Sequence, residues 1–362
     1  MQTNIKKVLG AAIFIVIIGI IAWNVGGSSA DGKTIKIGVV LPLTGTQAHV
    51  GEGLKNAVEL AEKNLGSTKF KYDVIFEDDR FDPKTAVTAA QKLISIDKVD
   101  AILDAYASIG NAVSPITEKA GITHIGIAFD PKIAEGSHNF LLFTRPDTAA
   151  RTFLEEMRRR DIHTLGIFRL NNQGILAVYQ SVKNLAGEYG VTIVSDESFQ
   201  PGERDFKEII TKSAKGKAGV YALLTLSPEL EILAKQLNDQ GIHNQTSIIY
   251  FELAQDKAVF NGLWSVGYGK VSTDLESEYK AAYGKDLTFG VPNIYDAFNV
   301  IVRASEAYAG KGKPTSDYIA QQILQASDVE GALGKLHVSP ERIIDSPALI
   351  KVMKDGKMVF VQ

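Results

Sequence analysis

Cysteine is absent from all 362 residues. Disulfides, thiol catalysis, thiolate metal sites and lipidation of an N-terminal cysteine are excluded together. A strong charge of either sign is also missing: 39 basic and 42 acidic side chains leave a net −3. Nucleic acid is therefore not an expected partner, since its binding needs a basic face. The six histidines (His49, His124, His138, His163, His243 and His337) are scattered without metal-ligand spacing. No Gly-x-Ser-x-Gly elbow occurs. Neither a Walker loop nor a dinucleotide glycine fingerprint follows the first apolar run, where Pro42-Leu-Thr-Gly-Thr46 turns without that spacing. The chain reads as a non-enzyme that requires no cofactor.

What is present is ordinary in bulk and distinctive in order. Apolar residues make up 45% and charged residues 22%, as in soluble globular proteins. The length is about twice the usual domain size, so two domains are expected. The N-terminus departs from the average. Lys6 and Lys7 precede Val8–Trp23, a run of apolar residues and glycine, and no charge follows until Asp31. A basic flank, an apolar stretch and then small residues (Gly26-Gly-Ser-Ser-Ala30) form the layout of an export signal. Residues 1–30 have two readings: a signal peptide cut near Ser28 or Ala30, or an N-terminal hydrophobic helix retained as a membrane anchor. The run is long for a signal core and slightly short of the roughly 20 residues of a membrane span. Both readings place the rest of the chain outside the cytoplasm.

From Lys33 onward, strand and helix signals alternate. Ile35–Leu41, Tyr72–Phe76, Ala101–Leu103 and Ile122–Ala128 read as buried strands. Amphipathic helices lie between them; in Lys84–Ile94, for example, Ala86, Val87, Ala90, Leu93 and Ile94 share one face, which suits core packing. A second series follows, with strands at Leu165–Phe168, Val191–Val194, Val220–Leu224 and Ser247–Tyr250 and helices near Gly174–Tyr189, Asp205–Lys215 and Pro228–Gln240. After Ser272 the pattern is mostly helical, and it closes with a hairpin, Ala348–Met353 and Met358–Val361. The expected fold is α/β, with two doubly wound, Rossmann-like lobes built on parallel sheets. In such sheets ligands sit beyond the carboxyl ends of the strands.

The most specific stretches are Ile37-Gly-Val-Val-Leu-Pro-Leu-Thr-Gly45, Asp82-Pro-Lys-Thr-Ala-Val87 and Pro201-Gly-Glu-Arg-Asp-Phe206, followed by the Pro228–Gly241 helix and Tyr295-Asp-Ala-Phe298. In this order they resemble the type I periplasmic binding proteins, specifically the leucine/isoleucine/valine-binding group that serves ABC importers. The resemblance implies a Venus-flytrap of two lobes joined by three crossings. One lobe would hold 33–145 plus 270–333, the other 146–269 plus 334–362, with crossings near Arg145, Gly269 and Leu333. It further implies hinge closure around a small ligand and presentation of the closed form to a permease and its ATPase subunits.

Carried over residue by residue, the resemblance points to a cleft site. Ser108, after a strand and at a helix start, would help hold a ligand carboxylate on its hydroxyl and on backbone N–H groups. The register equally allows Ala107 there, which leaves only backbone donors; an N-cap role for Ser108 is compatible with either. Ala128 and Asp130 stand where the family carries a small hydroxyl residue. Asp130 before Pro131 is also a good helix start. If it faced the cleft, a ligand carboxylate about 4 Å away would cost about 4 kcal/mol at an effective dielectric near 20. Glu252 aligns with the acid that takes the ligand ammonium. Gln173 replaces an aromatic, and Val50 a tyrosine. Phe81 and Tyr106 occupy the places of a cysteine pair, which requires the two positions to touch. Tyr295 is a further cleft candidate. Glu77-Asp78-Asp79 has two readings, a divalent-metal cluster or a strand end bordering the cleft.

An acid for an amine and a turn for an anion imply an amino acid or a related amine-bearing ligand, polar or cationic rather than leucine-like. Two functional classes remain: a transport carrier that delivers this solute to an ABC permease, and a membrane-tethered sensor whose closure alters a protein partner.

Overall fold

The computed structural model describes residues 33–248, 251, 254, 256–288 and 290–361. The N-terminal hydrophobic segment and Glu252 lie outside the described residues. Among the described residues no helix is long and apolar enough to cross a membrane.

Fully buried strands need apolar residues on both faces, and the first half supplies them. β1 (Thr34–Leu41), β2 (Lys71–Asp78), β3 (Ala101–Ala105), β4 (Thr123–Ile127) and β5 (Asn139–Phe143) form parallel pairs in the order β5-β4-β3-β1-β2. Helices α1 (Ala48–Lys63), α2 (Pro83–Lys92) and α3 (Ala107–Ala120) connect them. The expected start of α2 is realised: Asp82 accepts the Thr85 N–H at 2.8 Å, and Pro83 takes the first turn.

The second half repeats the plan around a smaller sheet. α4 (Pro146–Arg159) leads to β6 (Thr164–Leu170), α5 (Gln173–Leu185), β7 (Thr192–Phe199), α6 (Lys207–Ala214), β8 (Val220–Leu224), α7 (Glu229–Asp239) and the short β9 (Gln245–Thr246), with strand order β7-β6-β8-β9. The loop 201–206 is tied to α7, since Glu229 accepts the Gly202 N–H at 2.8 Å and Gln236 the Phe206 N–H at 2.7 Å. Of the strand expected at Ser247–Tyr250, Ser247 makes an isolated bridge to Ser265. β10 (Trp264–Tyr268) then pairs antiparallel with the C-terminal hairpin, β14 (Ala348–Lys354) and β15 (Lys357–Phe360).

Between these pieces α8 (Thr273–Tyr283), α9 (Val291–Glu306) and α10 (Ser316–Gln325) pack on the first half. The Tyr283 hydroxyl donates to the Asn56 carbonyl at 2.9 Å and Tyr72 to Glu306 at 2.8 Å. Two expectations need correction here. The sheets are mixed, not wholly parallel, because β11 (Asp328–Gly331) and β12 (Gly334–Val338) add an antiparallel edge to the large sheet. β13 (Ile343–Asp345) then pairs parallel to β5. Residues 334–345 thus stay with the first half, and Leu333 sits in the β11–β12 turn rather than at a crossing.

The chain leaves the large sheet after Asp345, close to Arg145 and Gly269. Asp345 accepts the Arg145 N–H at 2.9 Å and the Thr148 hydroxyl at 3.0 Å. Thr144 and Ser346 share a hydroxyl hydrogen bond at 3.0 Å, and the Gly269 N–H donates to Pro347 at 2.8 Å. Burial raises the Asp345 pKa against these donors.

Asp296, from the Tyr295–Phe298 stretch, explains the misplaced crossing. Its carboxyl is 1% exposed and accepts the N–H groups of Ala332 at 2.6 Å and Leu333 at 3.0 Å, which holds the β11–β12 turn. Burial pushes its pKa up to about 6 despite both donors. Asp296→Ala would leave two buried N–H groups without that acceptor, and a loss of roughly 2–5 kcal/mol is expected in chemical denaturation. A loss well below 1 kcal/mol would mean that the turn is held elsewhere.

Candidate functional site

The site grows from the junction of β3 and α3. Tyr106 occupies the N-cap of α3 with φ +75° and ψ 141°, and no side chain caps the helix. The Tyr106 N–H donates to Ile127 at 3.0 Å, and its carbonyl accepts from Gly110 at 2.9 Å. A tyrosine at positive φ is strained by about 1–3 kcal/mol and persists only where its surroundings over-determine it. They do so here. Its ring meets Phe81 edge-to-face at 4.8 Å, and its hydroxyl donates to Gln47 Oε1 at 3.1 Å. The contact required by the paired replacement at 81 and 106 is therefore present. The consequence is a helix start whose first amides, at Ala107, Ser108 and Ile109, have no side-chain cap and concentrate positive partial charge.

The Phe81 side of this wall is built by two carboxyls. Arg80 and Phe81 both have positive φ, 55° and 60°. Asp78 Oδ1 accepts N–H groups of Leu43, Thr44 and Arg80 at 2.9, 3.2 and 2.9 Å, and Oδ2 accepts the Thr44 hydroxyl at 2.5 Å. Burial opposes the charge, but the Thr44 hydroxyl and these amides hold the pKa below the ordinary range. Asp79 is fully buried and accepts the Phe81 N–H at 2.6 Å. Burial, opposed by that bond and reinforced by the charge of Asp104, pushes its pKa up to about 7. The acidic run is thus a strand end that ties the first turn to the Phe81 wall. Among the described residues no group of three or more His, Asp or Glu is placed to hold a metal.

Asp130 acts as the N-cap of a short 3-10 turn, Pro131–Ala134, accepting the Lys132 N–H at 3.1 Å. Its other oxygen accepts Nδ2 of Asn111 at 2.7 Å, and the same Nδ2 donates to Gln173 Oε1 at 2.9 Å. Asp130 and Gln173, one from each half, are thereby joined through a residue that the sequence reading missed. The signal was available: Asn111 lies three residues past Ser108 and four past Ala107, on the same helix face. At this seam a Cβ on Gly174 would lie 3.4 Å from that of Ala107 and 3.7 Å from that of Phe129. α5 carries its own cap, with Asn172 accepting from Gly174 at 2.9 Å.

The remaining candidates separate. Ala128 is buried with Ala107, Ile133, Ala134, Leu141 and Ile343 in a small apolar cluster beneath the seam. Val50 is buried in the main core. Tyr295 is placed elsewhere, beside a surface pocket lined by Asn64, Ser272, Leu275, Glu278 and Gly331. Helical periodicity could not assign its side. Two grooves contain residues from both halves. One of about 520 Å³ includes Pro131, Arg145, Ala177 and Arg342; the other, of about 380 Å³, includes Lys257, Lys270, Asp286 and Lys351.

The buried carboxyl behind the wall yields a pH signature. Between about pH 4 and pH 7 folded Asp79 keeps a proton that the unfolded chain has released, so stability falls as pH rises through that window. The rise from the ordinary carboxyl range to about 7 corresponds to about 4 kcal/mol at most. Asp79→Asn retains an acceptor for Phe81. It should flatten this slope, leaving the shares of Asp296 and Asp345, and should exceed the parent in stability at pH 8. Urea melts at pH 5 and pH 8 measure both effects, and an unaltered slope would remove Asp79 as the cause.

Known proteins resemble the chain over nearly all of its length. A family model described as periplasmic binding protein matches residues 34–343. The Leu/Ile/Val-binding protein homolog 3 of Brucella melitensis is 26% identical over 94% of this chain and 97% of its own. A leucine-binding protein LivK from Thermotoga maritima superposes with a TM-score of 0.81 at 20% identity, covering 91% of this chain and 98% of that one. The branched-chain amino acid transporter substrate-binding protein LivJ from Streptococcus pneumoniae, solved with isoleucine, gives 0.80 at 19% identity over 90% and 98%.

Proposed function

The chain belongs to the periplasmic binding protein family, and from that premise we propose that it is the extracytoplasmic solute receptor of an ABC importer. Its ligand is an amino acid or related amine-bearing molecule, held in the cleft between two lobes, 33–145 plus 270–345 and 146–269 plus 346–361. The observation that carries this reading is the uncapped start of α3 facing α5 across the seam. A helix start with open amides takes a carboxylate without needing a cationic side chain. Asp130 is engaged by the Lys132 N–H and by Asn111, the structural role that its place before Pro131 suits.

Glu252 is the proposed partner of the ligand ammonium, by its alignment with the family's acid. With Gln173 in place of an aromatic, a polar or cationic side chain suits this pocket better than leucine's. The three passages at Arg145, Gly269 and Ser346, stitched by hydrogen bonds, suit rotation of one lobe against the other. The closed form would then engage permease and ATPase subunits, with the N-terminal segment directing export or tethering the receptor to the membrane.

Calorimetric titration of the ligand-stripped, refolded chain with branched-chain, polar and basic amino acids, amides and polyamines tests the reading. Micromolar or tighter binding of one class is expected. Glu252→Gln should weaken that binding by roughly tenfold or more, the value of a hydrogen bond to a charged group. Silence across the panel would turn the search to protein partners and a sensing role. Unchanged binding in the variant would remove Glu252 from the site.

A further inference from the structure

The seam between the lobes is joined by a three-residue chain whose polarity is determined. As a carboxylate, Asp130 can only accept, and Lys132 N–H already fixes one of its oxygens. The Asn111 amide must therefore turn Nδ2, not Oδ1, toward Asp130. The second hydrogen of that Nδ2 then needs an acceptor, which obliges Gln173 to present Oε1. Gln173 is left with its Nε2 donors directed away from Asn111.

We propose that Asn111 is a positioning residue that clasps the two lobes and sets the Gln173 amide, so that the closed form is populated before ligand arrives. The proposal rests on the reading of the cleft as a closing solute site and adds a contact made by neither the ligand nor the hinge. Asp130 and Asn111 belong to one lobe and Gln173 to the other, 62 residues from Asn111 in sequence. Opening the cleft breaks the Asn111–Gln173 bond and leaves Asp130–Asn111 intact. Part of the closing free energy is thus independent of ligand, and any group Gln173 offers from this position is a hydrogen-bond donor.

The absence of cysteine makes the test direct. Lys84→Cys and Lys207→Cys lie on opposite lobes at exposed positions, and spin labels there report the interlobe distance in the ligand-free chain. A closed population is expected without ligand. Asn111→Ala and Gln173→Ala should each lower the closed-to-open ratio about three- to tenfold, and the double variant should add little, because both remove one bond. Distance distributions unchanged in both single variants would overturn the clasp, as would a parent chain that is fully open without ligand. Either variant suffices should the other fail to fold. Failure of the solute reading would show separately, as silent titrations alongside intact distance populations.

Discussion

A left-handed tyrosine holds the β3–α3 corner together. Tyr106 turns the chain from β3 into α3 at a backbone angle that its side chain disfavours, and the cost is borne by contacts from two other strand ends. Phe81, itself left-handed, supplies the ring that meets it, and the first turn supplies Gln47. With a normal N-cap serine or aspartate in its place, the α3 amides would be satisfied internally. The strained junction leaves them without a side-chain cap, the arrangement on which the proposed carboxylate site rests.

Carboxyls around that junction divide according to a single balance. Asp78 gathers three amides and a hydroxyl, which outweigh desolvation and stabilise its charge. Asp79, one residue on and deeper, has a single amide and the charge of Asp104 nearby, and desolvation wins. Asp296 and Asp345 fall between, each burying a carboxyl to hold backbone that would otherwise be unpaired. Asp78, Asp79 and Asp296 act as acceptors for turns.

The same logic joins the lobes. Asp345 ties the end of β13 to the start of α4, while Asp130 orients Asn111 toward Gln173 of the second half. Each of these two carboxylates accepts from one backbone N–H and one side chain, Arg145 and Thr148 at Asp345, Lys132 and Asn111 at Asp130. Such contacts have direction as well as strength, which apolar packing lacks.

Alternating apolar runs, the Asp82-Pro83 helix start and the glycine-bearing turns were legible in the sequence because they are decided within a few residues. They determined two α/β units. The pairing of positions 81 and 106 was legible through the family resemblance, since both members of a touching pair had changed. Short strands such as β10 and β11–β13 escaped, because edge pairing depends on a neighbour that local pattern does not name. The resemblance implies a crossing near Leu333, but Asp296, 37 residues away, makes that stretch a turn. Ser108, Asp130 and Gln173 were named one by one, but Asn111, which joins two of them, became visible only once α3 and α5 met. Tertiary structure alone decided the open amides, the buried proton of Asp79 and the clasp, because each depends on burial or on partners distant in sequence.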